Sequence, residues 1–167
     1  MFFRIKKIKG KEYAYAVENK WKKKGSRQKV KVYLGRVYRF NLKNDINFLQ
    51  FKKIENAEKY VIENDFKKII NDLIEWELFK QDIGRNKFAI DLNGLNVRQN
   101  EKNAVLLINE GFMCNLTLNN IFEFRPEGDE ANDGYKLARA FVEAGIKVPQ
   151  DIFIGLFGKL LKNENKQ

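Results

Sequence analysis

Four carboxylates in the stretch PEGDEANDG are the side chains with the clearest potential for chemistry. They are Glu127, Asp129, Glu130 and Asp133. Hard cations such as Mg²⁺ or Ca²⁺ take oxygen ligands of this kind, and a metal-dependent nuclease could use them. Their spacing is not that of the twelve-residue calcium loop, and acidic residues in the first turn of a helix stabilise its positive end. We therefore expect a helix cap here, with no metal site and no cofactor.

Other catalytic chemistries lack the residue types that they need. The sequence contains no His, which excludes Ser-His and Cys-His catalysis and His-ligated zinc. Cys114 is the only cysteine, so an intramolecular disulfide cannot form, and we expect a small buried side chain. Neither a GxGxxG motif after a strand nor a GxxxxGK[ST] motif occurs. We expect a protein that is not an enzyme and has no catalytic residues.

Positive charge is concentrated in the first forty residues. They contain fourteen Lys and Arg against two acids, Glu12 and Glu18, whereas the remaining 127 residues carry eighteen bases and twenty acids. One sign of charge gathered on one element creates a local field that attracts phosphate. We therefore expect this element to bind a polyanion, the alternative being an ordinary solvated face.

Three runs of alternating apolar and polar residues lie within this basic segment, at residues 2–9, 13–18 and 27–34. Alternation with a period of two indicates strands that have one buried and one exposed face. Gly10 and the stretch 19–25 separate the runs. The spacing predicts an antiparallel three-stranded meander with short hairpin connections.

The alternation also assigns the residues of the meander to two faces. The inner face is predicted to hold Phe3, Ile5, Tyr13, Tyr15, Val17, Val30, Val32 and Leu34. The outer face then holds Arg4, Lys6, Arg27, Lys29, Lys31 and Tyr33, with the small Ala14 and Ala16 between them. Side chains on one face of a sheet project the same way, so the outer face would present one cationic surface to phosphates.

Trp21 lies in the lysine-rich break between the second and third runs. An exposed indole beside cations could stack on a base or wedge into a groove. Alternatively, it could fold over the small sheet as a hydrophobic plug. The predicted nucleic-acid-binding residues are Arg4, Lys6, Trp21, Lys22, Lys23, Lys24, Arg27, Lys29, Lys31, Tyr33 and Arg36.

The segments EYAYAVEN, KKKG and RQKVKVYLGR follow an opening strand that is rich in Arg and Lys. Together they resemble the basic amino-terminal β-region of insertion-sequence transposases of the DDE type. The resemblance covers residues 1–40 and implies a role in gripping nucleic acid. In that family a catalytic domain with three metal-binding carboxylates follows this region. Residues 41–167 do not resemble that domain, so the resemblance implies no transposase activity.

The remainder of the chain shows mainly helical signals. Asn56 and Asp65 are predicted helix caps. Residues 41–56 fit neither period and could extend the sheet or form a short helix. Strands at 88–92 and 104–108 flank a turn-rich stretch and could form a second hairpin or join the first sheet. Helices are predicted at 57–63, 65–83, 117–124, 131–144 and 150–162.

The last two predicted helices have the outline of a helix-turn-helix. The second begins with Gln150 and Asp151 and then shows a broad apolar stripe, which suits burial better than a major groove. Its Gly155 and Gly158 cost about 1 kcal/mol each relative to Ala, a cost that is easier to understand where another backbone approaches closely. We expect the stripe either to form a homodimer interface or to pack on the helix predicted at 65–83.

These features predict an α+β protein, in which an N-terminal three-stranded antiparallel basic meander packs on a mostly helical C-terminal part with a possible second hairpin. The expected parts are residues 1–40 and 41–167, packed as one compact unit. The expected function is non-catalytic binding of the nucleic acid backbone, with duplex DNA placed ahead of structured RNA and ribosomal RNA. The other hypothesis is an assembly module that forms a homodimer.

The sequence also bears on location. No run reaches the roughly 20 apolar residues that a membrane span needs, and Met1, Phe2 and Phe3 lead directly into charged residues. We expect a cytoplasmic protein that does not engage a membrane.

Overall fold

The chain is α+β, as the sequence predicts. The computed structural model describes residues 2–22, 25–84 and 86–164, except for the side chains of residues 22, 26, 163 and 164. The strands are Phe2–Ile8 (β1), Lys11–Lys22 (β2), Gly25–Arg39 (β3), Ala89–Asp91 (β4), Asn96–Gln99 (β5), Lys102–Ile108 (β6) and Gly111–Met113 (β7). The helices are Phe48–Lys52 (α1), Ala57–Glu63 (α2), Phe66–Lys80 (α3), Asn115–Phe122 (α4), Glu130–Glu143 (α5) and Gln150–Glu164 (α6). None of these helices combines the length and the apolar content that crossing a bilayer requires.

Strand β3 joins the basic meander to the rest of the molecule. Strands β1, β2 and β3 pair antiparallel, which confirms the predicted meander. The end of β3 then pairs in parallel with β6, with Arg36 opposite Ala104 and Arg39 opposite Leu107. Strands β5 and β4 follow on the far side of β6, and β7 forms a hairpin with β6. One sheet therefore runs through both parts of the chain.

The helix starts follow local signals in the sequence. The Asn56 side chain accepts a hydrogen bond from the backbone N–H of Lys59 at 2.8 Å, and Asp65 accepts one from Lys68 at 2.7 Å. Each bond satisfies an N–H that the first turn leaves unpaired, and both predicted caps are confirmed. Helix α3 ends at Lys80, before the predicted stop at Gly84. The region 41–56 contributes the short helix α1, which begins after Asn47.

Two hydrophobic clusters hold the fold together. The larger cluster gathers the apolar faces of α3, α5 and α6 with β5 and β6, and includes Ile69, Leu73, Val97, Leu106 and Phe141. The smaller one lies under the meander and contains Ala14, Ala16, Leu34, Val37, Val105 and Cys114, with Phe3 and Ile5 packed against it. Cys114 is fully buried, as predicted, and burial raises the pKa of its thiol.

The predicted inner face of the meander is wrong for Tyr13 and Tyr15 of the middle strand, whereas Val17 is buried as predicted. Ala14 and Ala16 are fully buried in the smaller cluster, whereas Tyr13 and Tyr15 share the opposite face with Lys6. The two alanines are small enough for the segment from β7 into α4 to pack closely on β2. Val30 and Val32 were also predicted to be inside, but each is 43% exposed.

Part of the apolar stripe of α6 is buried within the same chain. Ile152 and Leu156 are fully buried, and a Cβ on Gly155 would lie 3.2 Å from the Val61 side chain of α2. The stripe packs within the larger cluster, where Phe153 lies 6.4 Å from Phe141 of α5 between ring centroids. The close approach at Gly155 that favoured a homodimer therefore comes from α2.

Candidate nucleic-acid interface

Strands β2 and β3 continue past the smaller cluster as a two-stranded arm, which comprises residues 18–22 and 25–33. The described side chains at 19–21 and 27–33 are all exposed, so both faces of the arm are open to solvent. The pairs run from Glu18 opposite Lys29 to Lys22 opposite Gly25. At 3.3 to 3.4 Å per residue, the arm is on the order of 15 Å long.

Two register shifts decide which side chains share a face. Relative to β2, strand β3 carries two extra residues, Lys31 and Leu34. Lys31 is extra because Val30 and Val32 on either side of it lie opposite the adjacent residues Val17 and Ala16. Leu34 is extra because Tyr33 and Gly35 lie opposite the adjacent residues Tyr15 and Ala14. Each extra residue reverses the alternation of side chains along the strand. The single outer face predicted from alternation is therefore wrong.

Gly35 is required beside the second shift. Its φ is +137°, and a Cβ there would lie 2.4 Å from the carbonyl oxygen of Asn103 in β6. Only glycine allows both this backbone conformation and this approach. The glycine therefore permits β3 to turn from the open arm into its parallel pairing with β6.

One face of the arm is mainly cationic, and we call it the basic face. It holds Glu18, Lys20, Arg27, Lys29 and Lys31. Lys31 forms an ion pair with Glu18, its only acidic neighbour on this face among the described residues. Lys29 lies opposite Glu18, and Arg27 lies opposite Lys20. Phosphate groups approaching this face would therefore meet exposed cations.

The other face of the meander is aromatic, and we call it the tyrosine face. Its central residues are Arg4, Lys6, Tyr13, Tyr15, Tyr33 and Arg36. The Tyr33 ring lies 5.4 Å from that of Tyr15 and 6.3 Å from that of Tyr13, between centroids, and Tyr33 is 46% exposed. Partial burial, with the neighbouring Tyr13 and Tyr15, raises the pKa of Tyr33, so its hydroxyl stays protonated at neutral pH.

Three residues of the tyrosine face are cations. The Lys6 ammonium lies 5.0 Å from the centroid of Tyr15. The Arg4 guanidinium donates a hydrogen bond to the Gln28 side chain at 2.7 Å. Arg36 lies 4.8 Å from the centroid of Tyr38, whose hydroxyl donates to the side chain of Gln99. This face thus combines positive charge with exposed aromatic surface.

The predicted site residues divide between the two faces and the end of the arm. Trp21 is 83% exposed, so the hypothesis of a hydrophobic plug is wrong. Lys22 is described by its backbone alone, opposite Gly25, and Lys23 and Lys24 lie outside the described residues. Arg4, Lys6, Tyr33 and Arg36 lie on the tyrosine face; Arg27, Lys29 and Lys31 lie on the basic face.

The carboxylates of PEGDEANDG act as a helix start. Asp129 caps α5 by accepting the N–H of Asn132 at 3.2 Å. Asp133 is fully buried and accepts the N–H groups of Glu127 at 2.8 Å and Gly128 at 3.0 Å. The predicted capping role is confirmed. Within residues 2–22, 25–84 and 86–164, no group of three acidic or thiol side chains is arranged to hold a metal ion.

Reasoning from the sequence missed Tyr13, Tyr15 and Lys20. The prediction puts the larger side chains of β2 inside, which places both tyrosines in the core, and it treats β3 as a strand without bulges. The pair Ala14 and Ala16 was the available signal, since two alanines between tyrosines suit a closely packed face better than an exposed one. Comparison with known proteins finds no matching family model, no similar curated protein and no similar solved structure.

Proposed function

We propose that this protein binds nucleic acid through the phosphate backbone, with the basic face of the arm as its main contact. The observation that carries the proposal is the exposed row of Lys20, Arg27 and Lys29, set in a segment with fourteen bases and two acids. Both acids already have partners within the segment: Arg39 binds Glu12 at 2.6 Å, and Lys31 binds Glu18. The remaining cations of the arm are therefore available to phosphates.

The shape of the arm is compatible with a duplex. A two-stranded β-ribbon fits the major groove of B-DNA, which is about 12 Å wide. Cations on the arm could then reach the phosphates on the groove walls, and Trp21 stands near its end, where it could contact bases. Phosphate contacts position a protein without reading sequence, so the same arm could bind a structured RNA. We place duplex DNA first.

The test compares two triple variants that lose the same charge. Lys20, Arg27 and Lys29 are changed to Gln in one variant, and Lys43, Lys87 and Lys147, exposed residues outside the first forty, are changed in the other. Fluorescence anisotropy with a labelled duplex and a labelled RNA hairpin is measured over a range of salt. We expect the arm variant to bind more weakly and to lose about 0.9 from the salt slope for each lost duplex contact.

The control variant separates the arm from general charge. It should retain most of the affinity and nearly the full salt slope. Equal losses in the two variants would show that net charge rather than the arm attracts the ligand. Unchanged affinity in a folded arm variant would contradict the proposal. The preferred probe, duplex or hairpin, decides between DNA and RNA.

A further inference from the structure

Tyr33 is an exposed ring that its neighbours hold in place. Tyr15 contacts it from the paired position on β2, and Tyr13, two residues earlier on the same strand, lies 6.3 Å away between ring centroids. Tyr33 nonetheless keeps 46% of its surface exposed. A ring fixed in this way loses little conformational freedom when a flat ligand stacks on it. The basic face offers no such surface, because the register shifts leave no aromatic ring among its residues.

The surroundings of Tyr33 suit a nucleotide better than a neutral aromatic ligand. Lys6 lies over Tyr15, and Arg4 lies opposite Tyr15 on β1, so two cations border the rings from one edge. Arg36 lies opposite Tyr13, with its guanidinium over the ring of Tyr38. A base that stacks on Tyr33 would thus bring its phosphates towards Arg4 and Lys6. Stacking on aromatic rings beside a cationic groove is how proteins bind unpaired strands without reading their sequence.

We infer that the tyrosine face binds unpaired nucleotides, with Tyr33 as the stacking platform. This inference rests on the proposed function and specifies its ligand: a nucleic acid with unpaired bases, either single-stranded or at the end of a duplex. The bases of an intact duplex are stacked on each other and cannot lie flat on Tyr33. The two faces then contribute differently to the binding free energy, since the basic face contacts phosphates and the tyrosine face contacts bases.

The experiment uses three probes of matched length: an oligothymidine, an abasic strand with the same phosphates, and a duplex. The proteins are wild type, Tyr33→Leu, Tyr33→Phe and, as a control, Tyr135→Leu, which removes an exposed tyrosine from α5. We expect wild type to prefer oligothymidine over the abasic strand by roughly tenfold. Tyr33→Leu should abolish that preference without changing the salt slope, whereas Tyr33→Phe and Tyr135→Leu should keep it.

The results distinguish the stacking site on the tyrosine face from phosphate binding by the arm. Equal binding of oligothymidine and the abasic strand by wild type would overturn the stacking site, while phosphate binding by the arm would stand. A preference that survives in Tyr33→Leu would also overturn it. Failure of all three probes to bind would overturn both proposals. A preference that depends on the ring at position 33 supports the inference.

Discussion

Glu77 in α3 and Lys29 in the arm are both charged, yet the chain surrounds them in opposite ways. Glu77 is fully buried and accepts hydrogen bonds from Lys80 at 3.0 Å, Asn109 at 2.8 Å and the Lys147 N–H at 2.9 Å. Lys29 is exposed, and the arm supplies one nearby acid, Glu18, which already pairs with Lys31. The body thus satisfies the buried Glu77 internally, whereas the arm leaves Lys29 to solvent. The charge of Glu77 serves stability, and the charge of Lys29 remains available to a ligand.

The largest effect is expected from Glu77→Ala. It would leave the Lys80 ammonium, 5% exposed, without its carboxylate and the Lys147 N–H without an acceptor, and Asn109 would keep only its bond to the Gly145 carbonyl. Breaking a buried pair in this way costs about 4 kcal/mol of unfolding free energy. Urea unfolding would measure the loss, with the exposed Glu55→Ala as a control that should change little. A loss below about 1 kcal/mol would show that the pair is not a main source of stability.

A smaller, pH-dependent effect is expected from Asp72→Asn. Burial raises the pKa of Asp72, but the hydrogen bonds from Lys52, Lys68 and Tyr60 outweigh it and leave the pKa below its ordinary value of 3.8. Because the folded pKa is lowered, the carboxylate stabilises the fold above pH 3.8, and this contribution is lost as the pH falls through the folded pKa. We expect a loss of about 2 kcal/mol near neutral pH.

The pH profile provides the check on Asp72. The difference in unfolding free energy between wild type and Asp72→Asn should narrow as the pH falls below 3.8. A difference that stays constant with pH would mean that the geometry of the hydrogen bonds to Asp72, and not its charge, accounts for the lost stability. The Tyr60 hydroxyl donates a hydrogen bond to Asp72 at 2.7 Å. The variant Tyr60→Phe would remove that bond while keeping the ring.

The smallest effect on stability is expected in the arm. Glu18→Gln removes an exposed ion pair with Lys31, and such pairs contribute about 0 to 1 kcal/mol. The same change should strengthen nucleic acid binding several-fold at low salt and raise the salt slope by about 0.9, since it frees one cation. Glu55→Gln has the same charge change elsewhere and should do neither. Weaker binding by Glu18→Gln would contradict the role given to the basic face.

The sequence predicts features that depend on neighbouring residues. The caps at Asn56 and Asp65 and the three strands of the meander follow from signals within a few positions of each other. The faces of β2 and β3 do not follow from such local signals, because they depend on which residues pair across the hairpin. The extra residues at Lys31 and Leu34 become visible only when β2 and β3 are paired residue by residue. The sequence pattern places strand β5 in a turn-rich stretch for the same reason. This strand is four residues long and is defined by its pairing with β4 and β6.

The parallel pairing of β3 with β6 ends at Arg36, so within the described residues no strand covers the outer edge of β3 along the arm. An uncovered edge presents backbone N–H and C=O groups to any other strand, including the same edge of a second molecule. Lysines and bulges discourage such edge-to-edge pairing, and this edge carries Lys29, Lys31 and two register shifts. We therefore expect the cations of the arm to discourage aggregation as well. Variants that neutralise them should be assayed for self-association by light scattering before any change in binding is interpreted.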